Sequence, residues 1–234
     1  DLELILHPMA EDAKEATGSM GDDTPLAVLS DKYRPLYHYF RQNFSQVTNP
    51  PIDSLRENKV MSLKTRFGNL GNILDFSKLT KDNIYVLNSP ILSNAQFEKF
   101  LKFFGNNNKV LDCTFSKDDD LETSINLLKV KSEQAVREGI KQIILSDKNI
   151  SENRMPMPML LCIGAINTHL VKLGLRGYVS INVQTGDALD THSFATLIGV
   201  GATTVNPYLA FDSLYQRHSK KLFGNFTFDE CVSR

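Results

Sequence analysis

Two strand-like runs, Gln142–Ser146 (QIILS) and Tyr178–Val183 (YVSINV), flank the apolar stretch Met159–Ile166 (MLLCIGAI), and this succession decides the fold class. QIILS carries a continuous Ile-Ile-Leu, the pattern of a strand buried on both faces, as a parallel sheet covered by helices requires. The stretch from Pro156 to about Leu173 predicts a helix that is apolar nearly all round at its start, so other elements must cover it. Gly174 ends it. Strand, helix and strand in this order make a β-α-β unit, whose crossover is right-handed.

The same alternation extends outward. Downstream, Thr191–Ile198 reads as a helix closed by Gly199, Ala202–Val205 as a strand, and Pro207 as the start of a further helix. Upstream, Ile84–Leu87 is a short apolar strand. Ser93 then caps a helix whose Phe97, Phe100, Leu101 and Phe104 share one face, and Gly105 ends it. Val110–Phe115 is the next strand. Asp118, Asp119 and Asp120 sit at a helix start, where they complement the macrodipole, and Leu121, Ile125 and Leu128 form the core stripe. Repeated β-α units imply an α/β fold, either an open parallel sheet or a rudimentary (β/α)-barrel-like array.

Before residue 84 the alternation is lost, which divides the chain into a mainly helical and loop segment, 1–83, packing on the sheet, and a β/α repeat region, 84–234. Residues 1 to about 11 read as helical despite Pro8. Thr24-Pro25 reads as a helix start, and a helix is expected from Asp53 to about Lys64. Pro35–Phe44 predicts a helix with Leu36, Tyr37, Phe40 and Phe44 on one side and Arg34, His38 and Arg41 on the other. Aromatics segregated from cations in this way are core and not a base-stacking platform.

The 234 residues bury about 70% of the unfolded chain's surface on folding, enough for a full core. Lys and Arg number 26 against 27 Asp and Glu, for a net charge of -1, too even a balance to gather nucleic acid or an anionic membrane surface. MLLCIGAI is too short to span a bilayer. The first residue is Asp, with no signal-peptide pattern behind it, so the expectation is an excised piece of a longer chain. Cys113, Cys162 and Cys231 are scattered and odd in number, which suits a reducing cytoplasm; Cys162 and Cys113 read as small core residues.

Chemistry-bearing motifs are sparse. Gly68-Asn-Leu-Gly71 and Gly199-Val-Gly201 fall short of the phosphate-cradling glycine patterns, and Gly201 lies at a helix-to-strand turn, the wrong end of the unit. The histidines His7, His38, His169, His192 and His218 have no metal-ligand spacing. His192 with Asp187 and Asp190, just beyond the strand carrying Gln184, is the best hidden site, although Asp190 equally suits a helix cap. Two loops carry more than connection requires. Gly18, Ser19, Gly21, Asp22, Asp23 and Thr24 combine backbone freedom with hydrogen-bonding groups, and Thr48, Asn49, Pro50, Pro51 and Asp53 form a rigid shaped turn.

These loops also carry a resemblance. GSMGDDTPLAVLS (18–30) and QVTNPPID (46–53), followed by LNSPILSN (87–94), ILSDKN (144–149), PMPMLLCIGAINTHLVKLGLR (156–176) and GATTVNPYLAF (201–211), closely resemble the central domain of the glutamate synthase large subunit over essentially the whole chain. The resemblance implies a multidomain cytoplasmic enzyme. In it, a glutamine amidotransferase domain with an N-terminal Cys nucleophile releases ammonia. An FMN-containing β/α barrel with an iron-sulfur cluster adds that ammonia to 2-oxoglutarate and reduces the product to L-glutamate. It implies that the central domain is a rudimentary relative of the FMN barrel, with both neighbours as partners in one polypeptide and no catalytic, cofactor-binding or metal residue of its own.

On that basis the chain is expected to be a scaffold without autonomous catalysis that helps keep ammonia from bulk water. The two polar loops are the candidates for the domain interface or ammonia path. An excised connector would also expose apolar patches and self-associate. The rival reading is a self-sufficient flavin or phosphate-ligand-binding β/α-barrel enzyme; a pure interaction module that recruits a partner subunit is a further rival.

Overall fold

The computed structural model describes residues 2–14, 29–41, 43, 51–68, 74–75 and 84–234. A π-helical turn, Leu2–Leu6, runs into α1 (His7–Asp12), and a 3-10 turn follows at Leu36–Tyr39. Next come α2 (Ser54–Val60), β1 (Thr65–Phe67), β2 (Tyr85–Leu87), α3 (Asn94–Phe104), β3 (Asn108–Asp112) and β4 (Thr114–Ser116). The chain continues through α4 (Leu121–Arg137), β5 (Gln142–Ser146), β6 (Arg154–Pro156), α5 (Met159–Lys172), β7 (Ser180–Gln184), α6 (Thr191–Gly199), β8 (Thr204–Asn206), α7 (Tyr208–Ser219) and α8 (Phe228–Ser233). Contacts divide the chain into a unit of Asp1–Asn43 with Ile91–Arg234, and a second unit, Phe44–Pro90.

The first unit is built on a four-stranded parallel sheet in the order β3-β5-β7-β8, so the fold is α/β with an open parallel sheet and no closed barrel among the described residues. Register aligns Leu111, Leu145, Val183 and Val205 in one row. With Ile143 and Ile181 these side chains face a core completed by Cys162, Ile163, Ile166 and Leu170 of α5 and Ile125 and Leu128 of α4. Each large aliphatic side chain buried there contributes about 1.5–3 kcal/mol. A second core joins α1, α7 and α8 through Leu6, Ala10, Ala210, Leu214, Phe223 and Cys231.

Apart from the buried Ile144 and the exposed Val110, the other face of the sheet is polar. Gln142, Ser146, Asn182, Gln184, Thr204 and Asn206 alternate onto it. They satisfy one another: Asn182 Nδ2 donates to Gln142 Oε1 at 2.9 Å and Thr204 Oγ1 to Asn182 Oδ1 at 2.8 Å. Ser146 Oγ donates to Gln184 Oε1 at 2.9 Å, Gln184 Nε2 to Asn206 Oδ1 at 3.2 Å, and Asn206 Nδ2 to Asn94 Oδ1 at 2.9 Å. Left unpaired, each of these buried groups would cost about 1–3 kcal/mol, so the ladder ties the strands in register.

Caps place the helix starts where short polar side chains fall in the sequence. Ser93 and Gln96 form a capping box on α3, Asp120 accepts from the Thr123 amide at 2.8 Å, and Asp190 accepts from the Ser193 amide at 2.8 Å. Asp190 is therefore a helix cap.

Three expectations are corrected. Ile84–Leu87 does not begin the parallel sheet; β2 pairs antiparallel with β1 in the second unit, Thr65 opposite Leu87, and among the described residues the β8 edge of the parallel sheet is extended by the bridge from Ile91 to Val205. Val110–Phe115 is two strands, because Asp112 Oδ1 accepts from both the amide (2.9 Å) and hydroxyl (2.7 Å) of Thr114 and turns the chain. β4 then pairs antiparallel with β6. Pro35–Phe44 is not a helix over its described residues: only Leu36–Tyr39 make a 3-10 turn, after which Phe40 is extended and exposed. Leu36 and Tyr37, which pack on the core, override the aromatic periodicity there.

Candidate functional site

In a sheet of parallel strands followed by helices, the C-terminal strand ends are the place for a ligand. Here the loop after β5 supplies Asp147, the loop after β7 supplies Thr185, Gly186 and Asp187, α6 supplies His192, and α7 begins with Tyr208. The 3-10 turn at 36–39 lies in this mouth. The Tyr37 hydroxyl donates to Asp187 Oδ1 at 2.7 Å, and His192 Nε2–H donates to the Tyr37 carbonyl at 2.9 Å. Tyr37 is 3% exposed, so the position a ligand would take is filled by the chain itself.

Beneath Tyr37 the carboxylates are close. Thr185 Oγ1 lies 2.6 Å from Asp147 Oδ2 and 2.7 Å from Asp187 Oδ1. The Gly186 amide is 3.1 Å from both Asp147 oxygens, and Tyr208 donates its hydroxyl to the same carboxyl. Gly186 has no Cβ because one would come within 3.0 Å of the Tyr208 oxygen. Burial holds the pKa of Asp147, which is 2% exposed, above the usual carboxylate range. Burial and the neighbouring acids push both Tyr37 and Tyr208 upward, so both remain phenols. Lys148 sits 5.7 Å above the Tyr208 ring. A flavin phosphate placed here would meet carboxylates, and these residues do not fit one.

Elsewhere the described residues offer little chemistry. A cavity of about 250 Å³ between α4 and the β4–β6 pair is lined by Lys131, Asp119, Asp112 and Arg154 among others. Arg154 is already committed to Thr114 Oγ1 at 2.8 Å and Asp112 Oδ2 at 3.1 Å. Cys113 and Cys162 are both buried; a hydrogen bond from one to the other, reinforced by burial, pushes the Cys113 thiol upward and away from reactivity. Among the described residues no group of three His, Cys, Asp or Glu is placed to hold a metal, and no helix is long and apolar enough to cross a membrane.

Of the loop residues singled out in the sequence, Gly18, Ser19, Gly21, Asp22, Asp23, Thr24, Thr48, Asn49 and Pro50 lie outside the described residues. Pro51 and Asp53 are described and exposed; Asp53 caps α2, accepting from the Leu55 and Arg56 amides at 3.0 and 2.9 Å. Of the His192, Asp187 and Asp190 group, two meet at Tyr37 and the third is a cap. Sequence reading missed Asp147 and Thr185. The available signal was their place one residue beyond QIILS and one beyond SINVQ, each at a strand's C-terminal end.

The fold and this self-filled mouth define a class: an α/β domain of β-α units, arranged as an open sheet, whose ligand position is taken by its own turn. The chain matches the family described as the glutamate synthase central domain over residues 1–231, and it belongs to that family. It is 52% identical over its full length to the glutamate synthase (NADPH) large chain of Azospirillum brasilense, of which it covers 16%. It is 40% identical over its full length to the corresponding chain of Bacillus subtilis, covering 15% of it. It is also 40% identical over 92% of its length to the ferredoxin-dependent, chloroplastic glutamate synthase of Spinacia oleracea, covering 14%. The chain thus spans about one sixth or less of the relatives it matches.

Proposed function

We propose that this chain is the connecting domain of a cytoplasmic glutamate synthase polypeptide, set between a glutaminase domain and an FMN- and iron-sulfur-containing synthase domain. In this reading it holds the two in register, contributes walls to the ammonia path between them, and catalyses nothing itself. The observation that carries the reading is the filled mouth: Tyr37, hydrogen-bonded at both its hydroxyl and its carbonyl, occupies the position where a β/α enzyme admits substrate. The family match over residues 1–231, in relatives several times longer, supports the same role.

The path is assigned to the segments around Thr24 and around Thr48 and Asn49, where the sequence sets polar residues among glycines and prolines. In the full-length polypeptide, Thr48→Val is expected to raise glutamine hydrolysed per glutamate formed, while each half-reaction keeps its rate with saturating substrate. An unchanged ratio would remove Thr48 from the path. Titrated with FMN, the 234-residue chain is expected to stay colourless; a stoichiometric flavin spectrum would favour a self-sufficient barrel enzyme.

A further inference from the structure

The contacts around Thr185 raise a question of hydrogen count. Its Oγ1 is 2.6 Å from one carboxyl oxygen of Asp147 and 2.7 Å from one of Asp187, but a hydroxyl carries one hydrogen. Both contacts are hydrogen bonds only if one of the two carboxyls is protonated and donates to Thr185. Two ionised carboxylates would leave one of these short contacts as oxygen against oxygen.

Burial decides which carboxyl holds the proton. Asp147 is 2% exposed and Asp187 is exposed, so the desolvation penalty on charge falls on Asp147. The charge of Asp187 acts in the same direction, whereas hydrogen bonds donated by the Gly186 amide and Tyr208, and a Thr185 hydrogen turned this way, favour the charged form; burial is the largest effect and outweighs them. Asp147 is faced by Asp187 from the β7 loop, by Tyr208 from α7 with Asp212 behind it, by Tyr37 with His192 at its carbonyl, and by Cys113 after β3 with Asp112 beyond. Lys148, over the Tyr208 ring, is the one lysine or arginine in this set.

We propose that Asp147 is held protonated and donates to Thr185 Oγ1, that Thr185 gives its own hydrogen to Asp187, and that this chain latches the 36–39 turn into the mouth and releases it as pH rises. Asp187 Oδ1 then accepts from both Thr185 and Tyr37. Thr185 Oγ1 accepts from Asp147 and, at 3.3 Å, from the Asp187 amide, so every atom in the chain is satisfied. Loss of the Asp147 proton removes one link, the Thr185 hydroxyl can serve only one carboxylate, and Asp187 loses support beneath Tyr37.

The direction follows from linkage. The Asp147 pKa is raised in the latched state, so the stabilisation is fully present below the ordinary aspartate value and is lost as pH rises through the raised one. In chain order the 36–39 turn falls between the two loops assigned to the ammonia path, but the latch depends only on the described geometry and not on that functional reading.

The test is hydrogen exchange on the full-length polypeptide, following the peptide that spans residues 35–41 and correcting for intrinsic exchange. Protection is expected to be greatest near the ordinary aspartate range and to be lost as pH rises above it. Thr185→Ser should keep this dependence and Thr185→Val should abolish it; a flat profile in the parent, or the same profile in Thr185→Val, would overturn the latch. Infrared spectroscopy of the unaltered protein supplies a second readout that needs no variant. A protonated-carboxyl stretch that disappears in step with the loss of protection supports the proposal, and absence of such a band overturns it.

Discussion

Gly201→Ala is expected to be among the most damaging single-methyl additions in this domain. Gly201 has φ +128°, a backbone conformation that side chains rarely adopt, and a Cβ there would lie 2.6 Å from Asn167 Cγ, 2.7 Å from its Oδ1 and 2.9 Å from its Cβ. Asn167 is not free to move aside. Arg176 Nε donates to Asn167 Oδ1 at 2.8 Å, while the same guanidinium donates to the Gly201 carbonyl at 3.0 Å and to the Val179 carbonyl. The strained backbone costs about 1–3 kcal/mol. Displacing Asn167 breaks a charge-assisted bond worth about 1.5–3 kcal/mol, for a total of about 2.5–6 kcal/mol. At about 2–4 °C per kcal/mol for a domain of this size, thermal unfolding followed by circular dichroism should shift down by about 10 °C. Gly199 supplies the control: it is helical and a Cβ there meets nothing within 4 Å, so Gly199→Ala should be neutral or stabilise by up to about 1 kcal/mol. Equal tolerance of the two substitutions would refute the reasoning.

Two further outcomes follow from the core and from β4. Leu145→Ala, at a side chain with no exposure between Leu111 and Val183, should lower stability by about 2–5 kcal/mol, read as a shifted urea midpoint with an unchanged m value. At Asp112 burial alone would push the pKa up, but hydrogen bonds from Thr114 and Asn149 and the charge of Arg154 overcome it and hold the carboxyl below its usual range. That stabilisation is present above the ordinary aspartate value and is lost as pH falls through the lowered one, so the β4–β6 pairing should loosen on acidification. Amide exchange at 114–116 should lose this acid dependence in Asp112→Asn, and an unchanged slope would refute the assignment.

The elements most legible in the sequence were those in which a local signal and tertiary burial agree. QIILS is buried at every residue, and Phe97 and Phe100 of α3 are buried at the spacing read for them. Where the two disagree, packing wins. The aromatic periodicity of Pro35–Phe44 predicts a helix, yet Leu36 and Tyr37 are the residues that pack on the core, and the hydrogen-bond partners of Tyr37, Asp187 and His192, lie 150 and 155 residues away. No local pattern encodes such a pairing. The polar sheet face was partly visible, since Ser180, Asn182 and Gln184 alternate along β7, but their meaning depends on Gln142, Thr204 and Asn206 arriving in register from other strands.

Family, fold class and the caps Ser93 and Asp120 follow from the sequence alone, because they rest on short-range periodicity, capping chemistry and motifs such as GATTVNPYLAF that the chain order carries. Tertiary structure decided the rest. It left the parallel sheet open, moved Ile84–Leu87 into a separate antiparallel pair, made Asp190 a cap, and brought Asp147, Thr185 and Asp187 together under Tyr37. The physical reason is that a carboxyl's charge and a hydroxyl's single hydrogen take their meaning from burial and from partners within about 3 Å, which chain order does not specify.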